Sequence, residues 1–163
     1  MTTDRVDGII AAWQDELPAA LHPTSELSKR VMVLADALEQ ATRPVLRELG
    51  LTAAEFDVIV ALRRSGAPYR QKPSDLSRNL FLSSGGTSNV INQLVRRGYV
   101  DREPDPVDGR GTQIRLTADG IKAAEEAVIA TSSAHHQVWT GHPDATVQQA
   151  IGVLRTLSGL DGT

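Results

Sequence analysis

Asn89 and Gln93 stand four residues apart in a stretch, Ser84 to Arg97, whose start is opened up by Gly85 and Gly86. Wound at 3.6 residues per turn, this stretch gathers Ile91, Leu94 and Val95 on one side, which its spacing assigns to a core. Gly86, Asn89 and Gln93 then fall on the opposite side, flanked by Val90, Arg96 and Arg97. The carboxamides of Asn and Gln can each bond bidentately to adenine along the major-groove edge of a base pair. The two glycines leave the helix start without bulk, so it can approach a nucleic-acid backbone closely. Ser83 or Ser84 can cap that start and also donate to phosphate. Further on, Arg110 sits at the tip of a loop rich in turn residues, with Asp108 two positions earlier to orient it by a charge-assisted bond. An arginine on such a tip can enter a narrow minor groove. Ser74 and Arg78 precede the helix and are candidates for phosphate contacts that set register. The chemistry these residues predict is recognition of duplex DNA.

The elements that must hold them in place read as follows. Pro73 is well suited to open a short helix, PSDLSRNLFL. The second helix ends at Gly98. Tyr99–Glu103 and Thr112–Leu116 alternate as the two strands of a hairpin, around the turn-rich stretch 104–109. Upstream, Arg5 to Leu17 carries Ile9, Ile10 and Trp13 and stops at Pro18. Thr24 is expected to cap a long helix to about Glu48, with Leu27, Val31, Leu34, Leu38, Val45 and Leu49 near helical spacing. Pro44 should kink it or mark a junction, and Gly50 should stop it. Thr52 to Glu55 is a capping box for the next helix, to about Arg64. Thr117 can cap a further helix to about Trp139, and a last one, from about Ala145 to Leu157, has Val147, Ile151, Leu154 and Leu157 on one face. The expected fold class is mainly α with a small β-hairpin. A winged helix-turn-helix (51–117) stands between N-terminal helices (1–50) and C-terminal dimerisation helices (118–163). A compact winged module has little surface to cover the apolar faces of the terminal helices, so a homodimer is expected.

Composition excludes several alternatives. The net charge of −3 is unusual for a DNA binder, but Pro68 to Thr117 contains eight basic and five acidic residues, so this segment is +3 and the remainder −6. Phosphate attraction follows the local patch. There is no cysteine, which removes disulfides and thiolate metal sites. No apolar run approaches the roughly 20 residues of a membrane helix, and the N-terminus lacks a signal-peptide pattern, so a cytoplasmic protein is expected. His22, His135, His136 and His142 match no common zinc spacing. No cofactor, metal or catalytic residue is predicted. Ser83 to Ser88 at a helix start would make an anion cradle for a phosphate-binding enzyme. It lacks the lysine of a nucleotide-binding loop, and the chain lacks the parallel strands such enzymes need. A winged-helix protein-interaction module without DNA binding remains the alternative.

The segment PSDLSRNLFLSSGGTSNVINQLVRRGYVDREPDPVDGRGTQIRLTADG resembles the winged core of the MarR family of bacterial transcription regulators. Asp108-x-Arg110 at the wing tip with Leu116-Thr117-x-x-Gly120 carries the likeness, which extends over about Leu27 to Leu157. The resemblance implies a homodimer on a pseudo-palindromic operator, with repression relieved by a small ligand. Trp13 in an extra N-terminal helix, FDVIVALRRSGAPYR and REPDP look like the PecS-type, urate-responsive branch. That likeness implies Trp13, Asp57 and Arg102 as residues holding a small anionic aromatic effector. The branch's other arginine, on the recognition helix, falls on Val90, which cannot pair with Asp57 or an anionic purine. Read as residues alone, Trp13 could equally be a packing aromatic and Asp57 a solvated carboxylate.

Overall fold

Asp4 opens the first helix by accepting from the N–H groups of Val6 and Asp7, while the Asp7 carboxylate accepts from the N–H of Asp4. The computed structural model describes residues 3–80, 84–106, 109 and 111–159. In chain order the elements are α1 (Arg5–Glu16), a short 3-10 turn (Pro18–Ala20), α2 (Ser25–Glu48), α3 (Ala53–Arg64), β1 (Arg70–Gln71) and α4 (Pro73–Asn79). There follow α5 (Ser84–Arg96), β2 (Val100–Pro104), β3 (Thr112–Leu116), α6 (Ala118–Trp139) and α7 (Asp144–Leu157). Among these, no helix is long and apolar enough to cross a membrane.

Arg30 on α2 fastens α1 in place. Its guanidinium reaches Asp4 at 2.6 Å, Asp7 at 2.7 Å and Glu26 at 2.8 Å. Two details of α2 differ from expectation. Thr24 makes no side-chain capping bond, because its backbone is already in the helical region; Ser25 Oγ instead accepts from the N–H of His22. The helix also runs on through Pro44, which therefore marks no junction between two helices. It ends as expected: Gly50 takes a positive φ of 64°, its N–H bonds to the carbonyl of Arg47, and the Leu51 N–H bonds to that of Leu46. This is a Schellman arrangement, and its two leucines, Leu46 and Leu51, both enter the core.

The capping box forms at Thr52 and Glu55. Glu55 is buried and also accepts from Arg97 Nη1 at 3.0 Å, while the same nitrogen donates to the carbonyl of Gly50 at 2.9 Å. The guanidinium lies 4.8 Å from the centre of the Tyr99 ring. One arginine thus ties the end of α5 to the α2–α3 junction. Burial pushes the Glu55 carboxyl upward, but the Thr52 N–H, the Arg97 guanidinium and the Thr52 hydroxyl outweigh it and leave the pKa below its usual value. A carboxylate depressed on folding contributes stability above its unfolded value and loses it as pH falls through that value to the folded one. Stability should therefore decline below about pH 4.3, the ordinary glutamate value. Glu55→Gln keeps the cap and removes the charge, so it should flatten this part of the decline. Urea unfolding of both proteins from pH 7 to 3 checks it, and parallel curves would refute the assignment.

The sheet has three strands, not the two expected. β1 pairs antiparallel with β3, setting Arg70 opposite Arg115 and Gln71 opposite Ile114. β3 is thus the central strand in the order β1-β3-β2. The core gathers Val58, Ile59 and Leu62 of α3, Leu76 of α4, Ile91 and Leu94 of α5, Val100, Ile114 and Leu116 of the sheet, and Ala124 and Ala127 of α6. Val95, expected in this core, is exposed. Thr87 is buried in its place, because its hydroxyl accepts a 2.8 Å bond from Ser77 Oγ on α4. The buried stripe of α5 is therefore Thr87, Ile91 and Leu94. The small residues of α6 let it pack on α2 and α3. α7 has no buried residue at all.

Candidate nucleic-acid interface

The candidate recognition surface is α5 laid across α4. Ser77–Thr87 pins the two helices together, and Leu76, Ile91 and Leu94 fill the space behind them. α5 ends in a second Schellman arrangement: Gly98, with φ 72°, bonds to the carbonyl of Val95, and Tyr99 bonds to that of Leu94. With one side rooted in the core, Gly86 and Asn89 are exposed, Gln93 is half-buried, and Val90 is half-buried against the core. Ser84 is the first residue of α5. On α4, Ser74 and Arg78 are exposed. Ser83, Asp108 and Arg110 lie outside the described residues.

The positive charge of this face resolves into paired and available cations. Arg97 is held by Glu55, and Arg115 by Glu103 at 2.6 Å with Asp101 at 4.0 Å. Lys72 reaches Asp105 at 2.7 Å. Arg78 is only loosely paired, at 3.6 Å from Asp75, and its side chain is largely exposed. Arg70, Arg96 and Arg102 have no ion pair among the described residues. The cations free to meet phosphate are therefore fewer than the sequence count suggests; Arg96 is exposed two turns along α5 from Asn89, and Arg78 is exposed on α4.

Arg102 donates through Nη2 to Asn92 Oδ1 at 2.8 Å, linking the first wing strand to the recognition helix. Sequence reasoning passed over Asn92; its place one turn beyond Asn89 and Ser88 on the polar side was the available signal. Trp13 is half-exposed on α1, and Asp57 is exposed on α3. The protein around Asp57 raises its carboxyl above the usual value by desolvation. Three cavities lie elsewhere. An open groove of roughly 780 Å³ between α2 and α7 is lined by Leu27, Val31, Ile151, Leu154 and Leu157 among others. A smaller one of roughly 280 Å³ lies between α1 and α2 around Asp4, Arg30 and Leu34. A third, of roughly 480 Å³, is formed by Leu34, Trp139, His142, Val147, Ile151 and Leu154 with two further residues. None of these three is lined by Trp13, Asp57 or Arg102. Among the described residues, no group of three or more His, Asp or Glu side chains could hold a metal ion. His135 Nε2 instead lies 2.6 Å from Thr42 Oγ1, joining α6 to α2.

Known proteins match this architecture. A profile of the MarR family covers residues 49–111, the span from the end of α2 to just before β3, the second wing strand. The transcriptional regulator PecS of Dickeya dadantii is 30% identical over 126 residues, which is 76% of this chain and 74% of PecS. The crystal structure of apo MarR from Escherichia coli superposes with a TM-score of 0.72 at 22% identity, over 84% of this chain and 97% of that one. The Bordetella bronchiseptica regulator BpsR, whose structure was described for control of DNA binding by 6-hydroxynicotinic acid, superposes at 0.68 with 21% identity, over 88% and 99% of the two chains. With a rooted recognition helix, an outward carboxamide face, a wing and these relatives, the chain belongs to the MarR family and is a DNA-binding transcription regulator.

Proposed function

We propose that the protein works in the cytoplasm as a homodimeric repressor, holding its two copies of α5 in successive major grooves of a pseudo-palindromic operator. The observation that carries this reading is α7, a helix of 14 residues with none buried, whose Ile151, Leu154 and Leu157 stand exposed beside Leu27 and Val31 of α2. A second copy covers such a face and sets two recognition helices a fixed distance apart. Asn89 and Gln93 read base edges, Val90 and Gly86 lie along the groove, and Ser74, Arg78, Ser83 and Ser84 set register on phosphates. Arg110 reaches the minor groove from the wing.

The effector in this reading is a small anionic aromatic molecule, met by Trp13, Asp57 and Arg102. Its support is the likeness to PecS and the bond that already runs from Arg102 to the recognition helix. A ligand that competes for Arg102 would loosen α5 from the wing, and it shifts the dimer only by its differential affinity for the two forms. With valine at position 90, urate itself should act weakly.

The test compares duplexes carrying two half-sites about one helical turn apart, roughly 10 base pairs centre to centre, with duplexes carrying one. The dimer reading expects the single half-site to bind far more weakly, and equal affinities would sink it. Asn89→Ala should also relax base preference at one position per half-site by about 1–3 kcal/mol. Selection from randomised duplexes reads this directly.

A further inference from the structure

Asp105 stands where β2 gives way to the wing loop, and it is only 2% exposed. Its N–H donates to the carbonyl of Gly111 at 2.8 Å, closing the mouth of the loop. Its Oδ2 lies 2.7 Å from Lys72 Nζ. Lys72 is the N-cap residue of α4 and directly follows β1. Since β3 lies between β1 and β2, the pair reaches from one edge strand of the sheet to the other. It connects the N-cap of α4 to the root of the wing. Pro104 and Pro106 flank Asp105 and restrict the backbone on both sides. A buried carboxylate is expensive to desolvate, and an apolar residue would serve packing better. What the ion pair adds is a fixed direction between two parts of the molecule.

We propose that Lys72 and Asp105 form a latch that sets the angle of the wing against α4 and α5, so that both act on DNA affinity as positioning residues. The latch rests on the reading of the wing as a minor-groove contact. Lys72 is half-exposed, and Asp105 is the point from which the loop departs. Breaking the pair frees the loop root to rotate while the core behind α5 is untouched. The wing then loses its groove and the recognition helix keeps its own.

The experiment uses Lys72→Met, Asp105→Asn, the double variant and Lys72→Arg in the full chain. The probe is a duplex selected from a randomised pool by the unmodified protein. Affinity is measured across salt concentrations. Hydroxyl-radical footprinting reads the minor groove, and protection of guanine N7 from methylation reads the major groove. Each single substitution should weaken binding about tenfold, and the double should lose no more than the larger single. Lys72→Arg should restore most of the affinity. The variants should lose minor-groove protection at the wing and keep N7 protection.

Losses that multiply in the double variant would overturn the latch. So would a salt slope lower by about one unit in Lys72→Met alone, which marks a direct phosphate contact. If Asp105→Asn fails to fold, Lys72→Met and its rescue by arginine decide the matter through the footprint. An unmodified protein without minor-groove protection overturns the wing contact and the latch with it. Protection present in the unmodified protein and unaltered in Lys72→Met overturns the latch alone.

Discussion

Gly120→Ala is expected to destabilise the fold by on the order of 3 kcal/mol or more, as overpacking against an immovable neighbour does. A Cβ at this position would lie 1.9 Å from the carbonyl oxygen of Tyr99, 2.8 Å from its carbon and 3.1 Å from Leu116 Cδ2. The first two are backbone atoms, so no rotamer change relieves the clash. The Tyr99 carbonyl also accepts from the N–H of Thr117, and the Thr117 hydroxyl donates to the carbonyl of Gly98 at 2.7 Å. Moving that backbone would break the joint at which the recognition helix, the first wing strand and α6 meet. Gly8 is the natural control. It lies in α1, where an added methyl would meet nothing within 4 Å, so Gly8→Ala should stabilise by about 0.5–1 kcal/mol through helix propensity. Urea midpoints measure both, and a Gly120→Ala protein within about 0.5 kcal/mol of the parent, the range of an ordinary surface substitution, would show that the α6–wing joint yields.

That joint shows why so much of the fold was legible in the residues. Thr52-x-x-Glu55, Gly50, Gly98 and Thr117 each act within a few positions of themselves, through caps and left-handed turns, and every one of them takes its expected role. Thr24 failed as a cap because its own backbone already lies in the helical region, which residue type alone does not reveal. β1 was missed because two residues carry no alternation to read; only pairing with β3, far along the chain, makes them a strand. Val95 and Thr87 exchanged places because hydropathy favours valine, whereas the Ser77 hydroxyl satisfies a buried threonine and tilts the helix stripe toward it. The site followed the same division. The outward placement of Gly86 and Asn89 follows from helical spacing alone. The partners that neutralise Lys72, Arg97 and Arg115, and the bond from Arg102 to Asn92, join residues from different elements and have no local signal.

The second large effect is expected at the dimer face, from Leu154→Glu. Leu154 is 47% exposed in the single chain, beside Ile151 and Leu157 and across the groove from Leu27 and Val31. A glutamate there leaves the folded monomer nearly undisturbed, since the side chain already meets water. In a dimer that covers the groove, the same carboxylate becomes a buried charge with no partner. Arg155 borders the groove as well, but it is the next residue on α7, so it projects about 100° away around the helix. An uncompensated buried charge costs several kcal/mol, and a two-fold interface contains two of them. Association should therefore weaken by roughly 100-fold or more, about 2.7 kcal/mol at the least. Sedimentation equilibrium at micromolar concentration should find monomer where the parent is dimer, with helical content retained. Two-half-site duplex should then bind no better than the single half-site does. A Leu154→Glu protein that stays dimeric and keeps that preference would place the interface away from α7, and the exposed apolar face would need another occupant.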